Sequence, residues 1–188
     1  QPGTLHNLFC HVLNWRVLTG NDQPLPACGA NAEHLTAHPV AQPGGIPVFR
    51  IDWPAAQLPT TTRRRQISRL LLPRARQHLL CYLTQDGQQL AIVWAHERSG
   101  QQLELRTLTY ETGTPARTTI ERLAMLGFPR EEMETSGEIA RATVIERITQ
   151  AFDVDAVKRQ FFARYRTCFA TVEQGISGLQ DRDARRLF

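Results

Sequence analysis

The chain has 188 residues, a hydrophobic fraction of 41% and a formal net charge of +4. This length is enough for one good hydrophobic core with a helical appendage. No apolar run approaches the length of a membrane-spanning helix, and no basic segment followed by an apolar one marks a signal peptide. The sequence therefore predicts no transmembrane helix and no membrane partner.

The cysteines stand singly, and none forms a C-x-x-C pair. Isolated cysteines behave as small hydrophobic residues, and disulfide bonds are rare in the reducing cytosol. We therefore expect buried, reduced thiols and a cytoplasmic protein. The four cysteines are Cys10, Cys28, Cys81 and Cys168.

The first part of the chain predicts a helix, a long loop and a strand. The helix is predicted over Thr4–Leu18, where apolar residues recur at helical spacing. The stretch Asn21–Gly45 is rich in Pro, Gly, Asn and His and is predicted to be mostly loop, with a short strand over Leu35–Val40 as an alternative. Val48–Asp52 is short and apolar and is followed by a Trp-Pro pair, so it predicts a strand that stops at the proline.

An arginine-rich helix is predicted from about Thr62 to Arg76, and Pro73 would kink it or split it in two. No acidic residue lies in this segment, whereas acidic residues gather farther on, at Glu131–Glu138. A domain that is basic on one element and acidic on another is expected to face an anionic partner from one side. The alternative is a solvated basic face that pairs with that acidic stretch or with another domain. The arginines predicted to contact DNA are Arg63, Arg64, Arg65, Arg69, Arg74 and Arg76.

Three strand-like runs follow the arginine helix. They are His78–Thr84, Gln89–Glu97 and Leu103–Tyr110. Asp86-Gly87 between the first two is a strong hairpin signal, because glycine takes a positive φ at little cost. Leu90–Ala95 is apolar on both faces, which predicts a central place in the sheet. The predicted fold class is α+β: an antiparallel or mixed sheet, with a βα unit and then a β-meander, flanked by helices.

The last third of the chain is predicted to be helical. Helices are expected at Thr118–Leu126, with Ile120 facing inward, at about Ile139–Phe152 and at Val154–Ile176. The last two form a C-terminal helical pair. The last helix carries an aromatic stripe at 3.6-residue spacing, which predicts a packing face, either against another domain or within this one. The stripe residues are Phe161, Phe162, Tyr165 and Phe169.

These elements predict two regions. Residues 1–130 form the α+β domain, and residues 131–188 form a helical extension. The helical pattern is unfinished at Leu187-Phe188, so we expect the extension to lead into further sequence.

Five segments carry a resemblance to a known family. They are VFRIDWP (Val48–Pro54), TRRRQISRLLL (Thr62–Leu72), HLLCYLTQDGQQLAIVWAHER (His78–Arg98), TIERLAML (Thr119–Leu126) and AFDVDAVKRQFFARYRTCF (Ala151–Phe169). In this order they resemble the N-terminal region of large bacterial type IIG-like restriction–modification enzymes with adenine-specific DNA methyltransferase domains. The resemblance implies a non-catalytic domain that contacts double-stranded DNA or braces the methylase domain of the parent chain.

Methylases of that kind carry a glycine-rich S-adenosylmethionine loop and an Asn-Pro-Pro-Tyr or Asp-Pro-Pro-Tyr motif that holds a flipped adenine. Neither motif occurs in this sequence. The resemblance therefore implies that S-adenosylmethionine is bound by another part of the parent protein. No catalytic residue, metal ligand or cofactor contact is expected among these residues.

Two other functions remain open from the sequence. A metal-dependent or decayed nuclease would use the carboxylates Asp52, Glu97 and Glu104, although no lysine follows either glutamate at the spacing of the PD-(D/E)xK pattern. A protein-interaction module would pair its basic helix with another protein. The histidines at His34 and His38 are expected to be loop residues rather than metal ligands.

Overall fold

The computed structural model describes residues 2–26, 34–98, 102–129, 139–153, 162–163 and 165–172. The chain divides into two compact units, Gln1–Phe152 and Asp153–Phe188. All strands that the structure describes belong to the first unit. In the second unit, residues 162–163 and 165–172 are helical.

The first unit is built on an open six-stranded sheet, within the described residues, whose strands lie side by side in chain order. The strands are β1 (Gln23–Pro24), β2 (Thr36–Ala41), β3 (Val48–Trp53), β4 (Gln77–Thr84), β5 (Gln89–Arg98) and β6 (Gln102–Glu111). All neighbours are antiparallel except β3 and β4, which run parallel. Their connection contains helix α2 (Thr61–Leu71), as a parallel pair requires a crossover. The predicted α+β class with a mixed sheet is confirmed.

The β4–β5 hairpin forms where the Asp-Gly pair predicted it. Gly87 has a φ of 69°, which a side chain would disfavour. A carboxylate oxygen of Asp86 accepts hydrogen bonds from the Thr84 hydroxyl at 2.7 Å and from the backbone N–H of Gln88 at 3.0 Å. These bonds hold the turn, and β5 lies between β4 and β6 as its apolar sequence predicted.

One face of the sheet, which we call the α4 face, carries the larger core. Strand residues such as Val48, Leu79 and Trp94 pack there against the other elements of the face. Those elements are α1 (Pro2–His6), the π-helical segment Asn7–Val12, the turn after α3 (Arg117–Ala124), and α4 (Arg141–Phe152). Helix α4, assigned to the extension by the sequence analysis, thus contributes to the core of the first unit.

The opposite face, which we call the α2 face, buries the alternate strand residues. Phe49, Leu80 and Val93 pack there under Ile67 and Leu71 of α2. The alternation follows from the strand repeat of two, which sends successive side chains to opposite faces. Both faces of β4 and β5 are therefore covered, which explains why these strands read as nearly continuous apolar runs.

The N-terminal helix is shorter than predicted. Instead of running through Thr4–Leu18, the chain turns at Asn14, which has a φ of 55° and donates its side-chain amide to the carbonyl of Phe128 at 2.9 Å. Trp15 then donates its indole N–H to the carbonyl of Leu126 at 2.8 Å. Contacts with a segment more than a hundred residues away therefore end the helix, and local spacing could not show them.

Two other helices differ from their predicted bounds or faces. α2 ends at Leu71 rather than Arg76, because Pro73 has no N–H to continue the ladder and restricts the residue before it. In α3, Ile120 is 59% exposed rather than facing inward, while Leu126, just beyond the helix, is buried. Only the C-terminal end of α3 reaches the core.

The cysteine prediction holds in part. Cys81 is buried and Cys10 half-buried, and both are free thiols. Burial raises the pKa of both thiols. Cys168 is exposed, so the prediction of a buried thiol is wrong there. Cys28 lies outside the described residues.

Candidate functional site

Helix α2 positions the predicted arginine surface. The Thr60 hydroxyl caps the helix by accepting a hydrogen bond from the backbone N–H of Arg63 at 3.3 Å. Ile67, Ser68 and Leu71 are buried against the sheet and fix the rotation of the helix. The remaining positions of α2 therefore turn toward its sides and away from the sheet.

The six predicted arginines occupy three kinds of position. Arg65 and Arg69 are exposed and lie one helical turn apart, so they share a face of α2. Arg63 and Arg64 are only half-exposed. Arg74 and Arg76 are exposed but lie in the turn between α2 and β4, since the helix has already ended.

Arg64 lies partly within the structure of the domain. Burial lowers the pKa of its guanidinium, and the phenol of Tyr82 beneath it interacts with its charge. Tyr82 is buried, and burial raises the pKa of its hydroxyl. Tyr82 lies in the core of the α2 face. Arg64 is therefore a poor candidate for a phosphate contact, because part of its side chain covers this core.

The other arginines differ in their contacts. Arg63 donates to the side-chain oxygen of Gln66 at 3.5 Å, and Arg74 donates to that of Gln23 at 2.9 Å. Arg76 lies 3.9 Å from a carboxylate oxygen of Glu97, with Arg76 86% exposed. Glu97 is half-buried, but a pair at this distance with a largely exposed arginine contributes little stability.

Arg65 and Arg69 have no hydrogen-bond or ion-pair partner within the part of the chain that the structure describes. The acidic stretch Glu131–Glu138, weighed above as a partner for the basic helix, lies outside that part. Two exposed guanidinium groups on one face of a helix can contact successive anionic groups of a ligand. Arg74 and Arg76 are two further exposed arginines in the turn that follows α2.

The carboxylates of the nuclease alternative are not brought together. Asp52 and Glu104 lie on the α4 face, but six rows of the strand ladder separate them, which is about 20 Å at 3.3 Å per residue. Glu97 is paired with Leu103 on the opposite face. These three carboxylates cannot share one metal ion, so the nuclease site predicted from them is wrong.

Each of these carboxylates has a partner of its own. Arg50 Nε lies 3.0 Å from one oxygen of Asp52, and Arg50 Nη2 donates to the other at 3.1 Å. Arg106 donates to Glu104 at 2.9 Å. These contacts are typical of surface ion pairs on a sheet rather than of an open metal centre.

The histidines weighed as metal ligands lie apart. His34 is exposed, and His38 belongs to β2, where its Nδ1 lies 2.9 Å from a carboxylate oxygen of Asp22. Its Nε2 is 3.8 Å from Asp52, which Arg50 already holds. Within the described ranges, no group of three or more potential ligands converges on one point.

The aromatic stripe is exposed where the structure describes it. Phe162, Tyr165 and Phe169 have 60%, 58% and 41% of their surface exposed. The rings of Tyr165 and Phe169 stack with centroids 6.2 Å apart, which places them on one side of the helix. Phe161 lies outside the described residues.

A cavity of about 410 Å³ at the carboxyl ends of β3 and β4 was missed from the sequence. Its lining includes Trp53, Pro54, Thr84 and Asp86. A strand–helix–strand unit places a crevice at this edge of a parallel pair, so the order of elements carried the signal. Its two acidic residues, Asp52 and Asp86, make it unsuited to a phosphate.

No family model, curated protein or solved structure matches this chain. None of the helices in the described ranges has the length and apolar character to cross a membrane.

Proposed function

We propose that this chain is a non-catalytic, DNA-contacting domain of a bacterial DNA methyltransferase or restriction–modification protein. Exposed arginines on and after α2 would bind phosphates of double-stranded DNA. In such a protein, S-adenosylmethionine is a ligand of the methylase part of the parent chain. The protein would act in the cytoplasm, together with its DNA.

The observation that carries the proposal is the state of Arg65 and Arg69. Both are exposed on one face of a capped, well-packed helix, and neither is neutralised by a carboxylate among the described residues. Phosphate contacts from arginine supply most of the sequence-independent affinity for DNA. Arg74 and Arg76 add two exposed charges in the turn after α2, where Arg74 bonds to Gln23 and Arg76 pairs with Glu97, whereas Arg64 is partly buried.

The proposal is tested by binding of a labelled DNA duplex across a salt series. If Arg65, Arg69, Arg74 and Arg76 each neutralise one phosphate, log K should fall against log salt with a slope of about −3.6. The double variant Arg65→Ala/Arg69→Ala should then have a slope of about −1.8.

Arg117→Ala is the matched control. It removes one positive charge from an exposed arginine of α3, whose side chain is 91% exposed. Its salt slope should equal that of the unmodified chain. No binding at low salt, or equal slopes in the double variant and the unmodified chain, would reject DNA contact by this surface.

The exposed stripe of the second unit favours a second function, that of bracing the methylase domain. Phe162, Tyr165 and Phe169 are large and exposed on one side of a helix, and such surfaces mark interaction sites. Changing Tyr165 and Phe169 to Ser should weaken association with a separately produced methylase domain without altering DNA binding. Unchanged association would exclude this contact.

A further inference from the structure

Strand β6 forms an edge of the sheet. The backbone N–H of Thr112 donates to the carbonyl of Gln88 at 2.9 Å, so even-numbered residues of β6 bond to β5. Odd-numbered residues must then direct their N–H and C=O groups outward. Thr109 follows this pattern, because its outward carbonyl accepts a hydrogen bond from the Thr119 hydroxyl of α3 at 3.1 Å.

The part of this edge between Leu103 and Thr107 is open. Across the described residues, no group bonds to the outward backbone of Leu103, Leu105 or Thr107. A cavity of about 270 Å³ lies beside it, lined by Arg65 of α2 and by β6 from Gln102 to Leu105. A long edge with unpaired backbone groups is a template for another strand.

We propose that the occupant of this edge is a second copy of the chain, paired antiparallel through β6 about a twofold axis at Leu105. In this register Leu105 lies opposite Leu105 of the partner subunit, and Leu103 opposite Thr107 of the partner subunit. All of these are residues whose backbone groups face outward, so each pair exchanges two hydrogen bonds. Leu105, which is partly buried on the α2 face, supplies the apolar contact at the axis.

The charges on the other face select this register. Glu104 lies opposite Arg106 of the partner subunit, and the twofold axis repeats the pair. Oppositely charged side chains directly across an antiparallel pair stabilise it, and like charges oppose it. A pairing centred on Glu104 or Arg106 would set that residue against its own copy. Only the register centred on Leu105 sets Glu104 directly opposite Arg106 of the partner subunit.

The axis is perpendicular to the sheet, so both α2 helices lie on the same face of the continuous sheet. Arg65 lines the cavity beside the axis, and the two copies of this arginine would therefore lie near each other. This consequence bears on DNA binding and rests on the proposed function. The proposed strand pairing itself does not depend on DNA binding.

The mass of the full 188-residue chain tests the pairing directly. Light scattering or sedimentation up to about 0.2 mM should detect a dimer even if Kd is as weak as ~0.1 mM. The single variants E104R and R106E should each be monomeric, because each sets like charges across the axis. An equimolar mixture of E104R and R106E should restore the dimer as a heterodimer, since both cross-strand pairs are then opposite in sign.

The mixing step separates pairing from damage within one chain. Glu104 also contacts Arg106 at 2.9 Å and His96 at 3.6 Å in its own chain, so a single reversal affects the monomer too. Mixing cannot repair a contact inside one chain. A monomer at all concentrations, or a mixture that stays monomeric, overturns the proposal.

Cross-linking tests the register in a C168S background, which removes the thiol that is exposed among the described residues. L105C should form an intermolecular disulfide on mild oxidation, because residues opposite each other in a hydrogen-bonded pair have Cα atoms about 5.5 Å apart. T107C is the control, since it would lie about 13 Å from its own copy at 3.3 Å per residue. A dimer that cross-links through T107C and not through L105C overturns the register, and failure of DNA binding leaves this result unaffected.

Discussion

The arginines of the α4 face and those of α2 make opposite kinds of contact. Arg122 donates to the carbonyl of Ala151 at 2.6 Å, and Arg147 donates to that of Gly127 while lying 4.3 Å from the centre of the Phe128 ring. On α2, Arg65 and Arg69 have no such partner among the residues the structure describes. Arg122 and Arg147 hold neighbouring segments onto the core, whereas Arg65 and Arg69 are available to a ligand.

Arginine content alone therefore does not mark a binding surface. The α4 face holds segments far apart in sequence through side-chain bonds to backbone carbonyls, which are strong when the donor is charged. The α2 face relies on the packed side of one helix, and its exposed Arg65 and Arg69 have no hydrogen-bond or ion-pair partner among the described residues. Changes on the α4 face should therefore affect stability, and changes on α2 should affect binding.

The largest expected effect is on the α4 face, at Gly44. Its φ is +50°, and an added Cβ would lie 2.8 Å from a side-chain carbon of Val144 in α4 and 3.0 Å from the Cα of Arg141. Gly44→Ala should lower the free energy of unfolding by about 3–4 kcal/mol, through backbone strain and a clash with α4. Urea denaturation measures this.

Gly87→Ala separates the two causes. Gly87 has a similar φ of +69°, but nothing lies within 4 Å of the added Cβ. It should cost only the strain, about 1–2 kcal/mol. Equal losses in the two variants would mean that the contact between Gly44 and α4 does not contribute.

The next effect concerns Arg147 itself. Arg147→Met keeps much of the apolar stem but removes the hydrogen bond to Gly127 and the charge over Phe128. We expect a loss of about 2–3 kcal/mol in the free energy of unfolding. Arg117→Met, at an exposed arginine of α3, should leave stability unchanged. If both variants had the same free energy of unfolding as the unmodified chain, the contacts of Arg147 would not stabilise the α4 face.

A smaller effect on the free energy of unfolding depends on pH and is expected from a histidine of the α2 face. His78 is buried, one ring nitrogen contacts the carbonyl of Ala75 at 2.8 Å, and the other has no partner in the described part of the chain. Burial lowers its pKa. The unfolded chain therefore binds a proton first as the pH falls through about 6.5, and stability should drop by up to ~1.4 kcal/mol per pH unit below that value.

His78→Gln should flatten this pH dependence, since glutamine does not titrate and can still donate to Ala75. Chemical denaturation at pH 7.5, 6.5 and 5.5 is the measurement. His11→Gln is the control, because His11 is exposed. A slope in His78→Gln as steep as in His11→Gln would show that protonation of His78 does not govern acid stability.

The smallest effect on stability is expected from the arginines of α2. The double variant Arg65→Ala/Arg69→Ala should change the free energy of unfolding by less than about 0.5 kcal/mol, because alanine favours helices and no hydrogen bond or ion pair among the described residues is lost. The salt slope of DNA binding should change in the same protein. A large loss of stability would show that Arg65 and Arg69, like Arg147, stabilise the fold.

Much of the sheet could be predicted from short-range signals. The Asp86-Gly87 turn, the Trp-Pro end of β3 and the apolar run in β5 are properties of neighbouring residues, and each appears in the structure. The burial of Trp53 and Trp94 follows from their places in these strands. Local turn chemistry and a repeat of two are sufficient for such predictions.

The candidate site was only partly predictable. The density of arginines between Asp52 and Asp86 indicated a basic segment. It could not show that Arg64 half-buries its side chain over Tyr82, that Arg74 bonds to Gln23, or that the helix stops before Arg74. Those facts depend on the rotation of α2 over the sheet and on which strands it meets.

By itself, the sequence determined the type of fold, the hairpin and the location of excess positive charge, because these depend on residues close together in the chain. Only the tertiary structure decided which arginines stay open to a ligand, where the N-terminal helix ends and which carboxylates can meet. Each of those depends on contacts between distant segments, such as Asn14 with Phe128 or Arg122 with Ala151. The free energy of such contacts comes from burial and partner geometry, which no local pattern records.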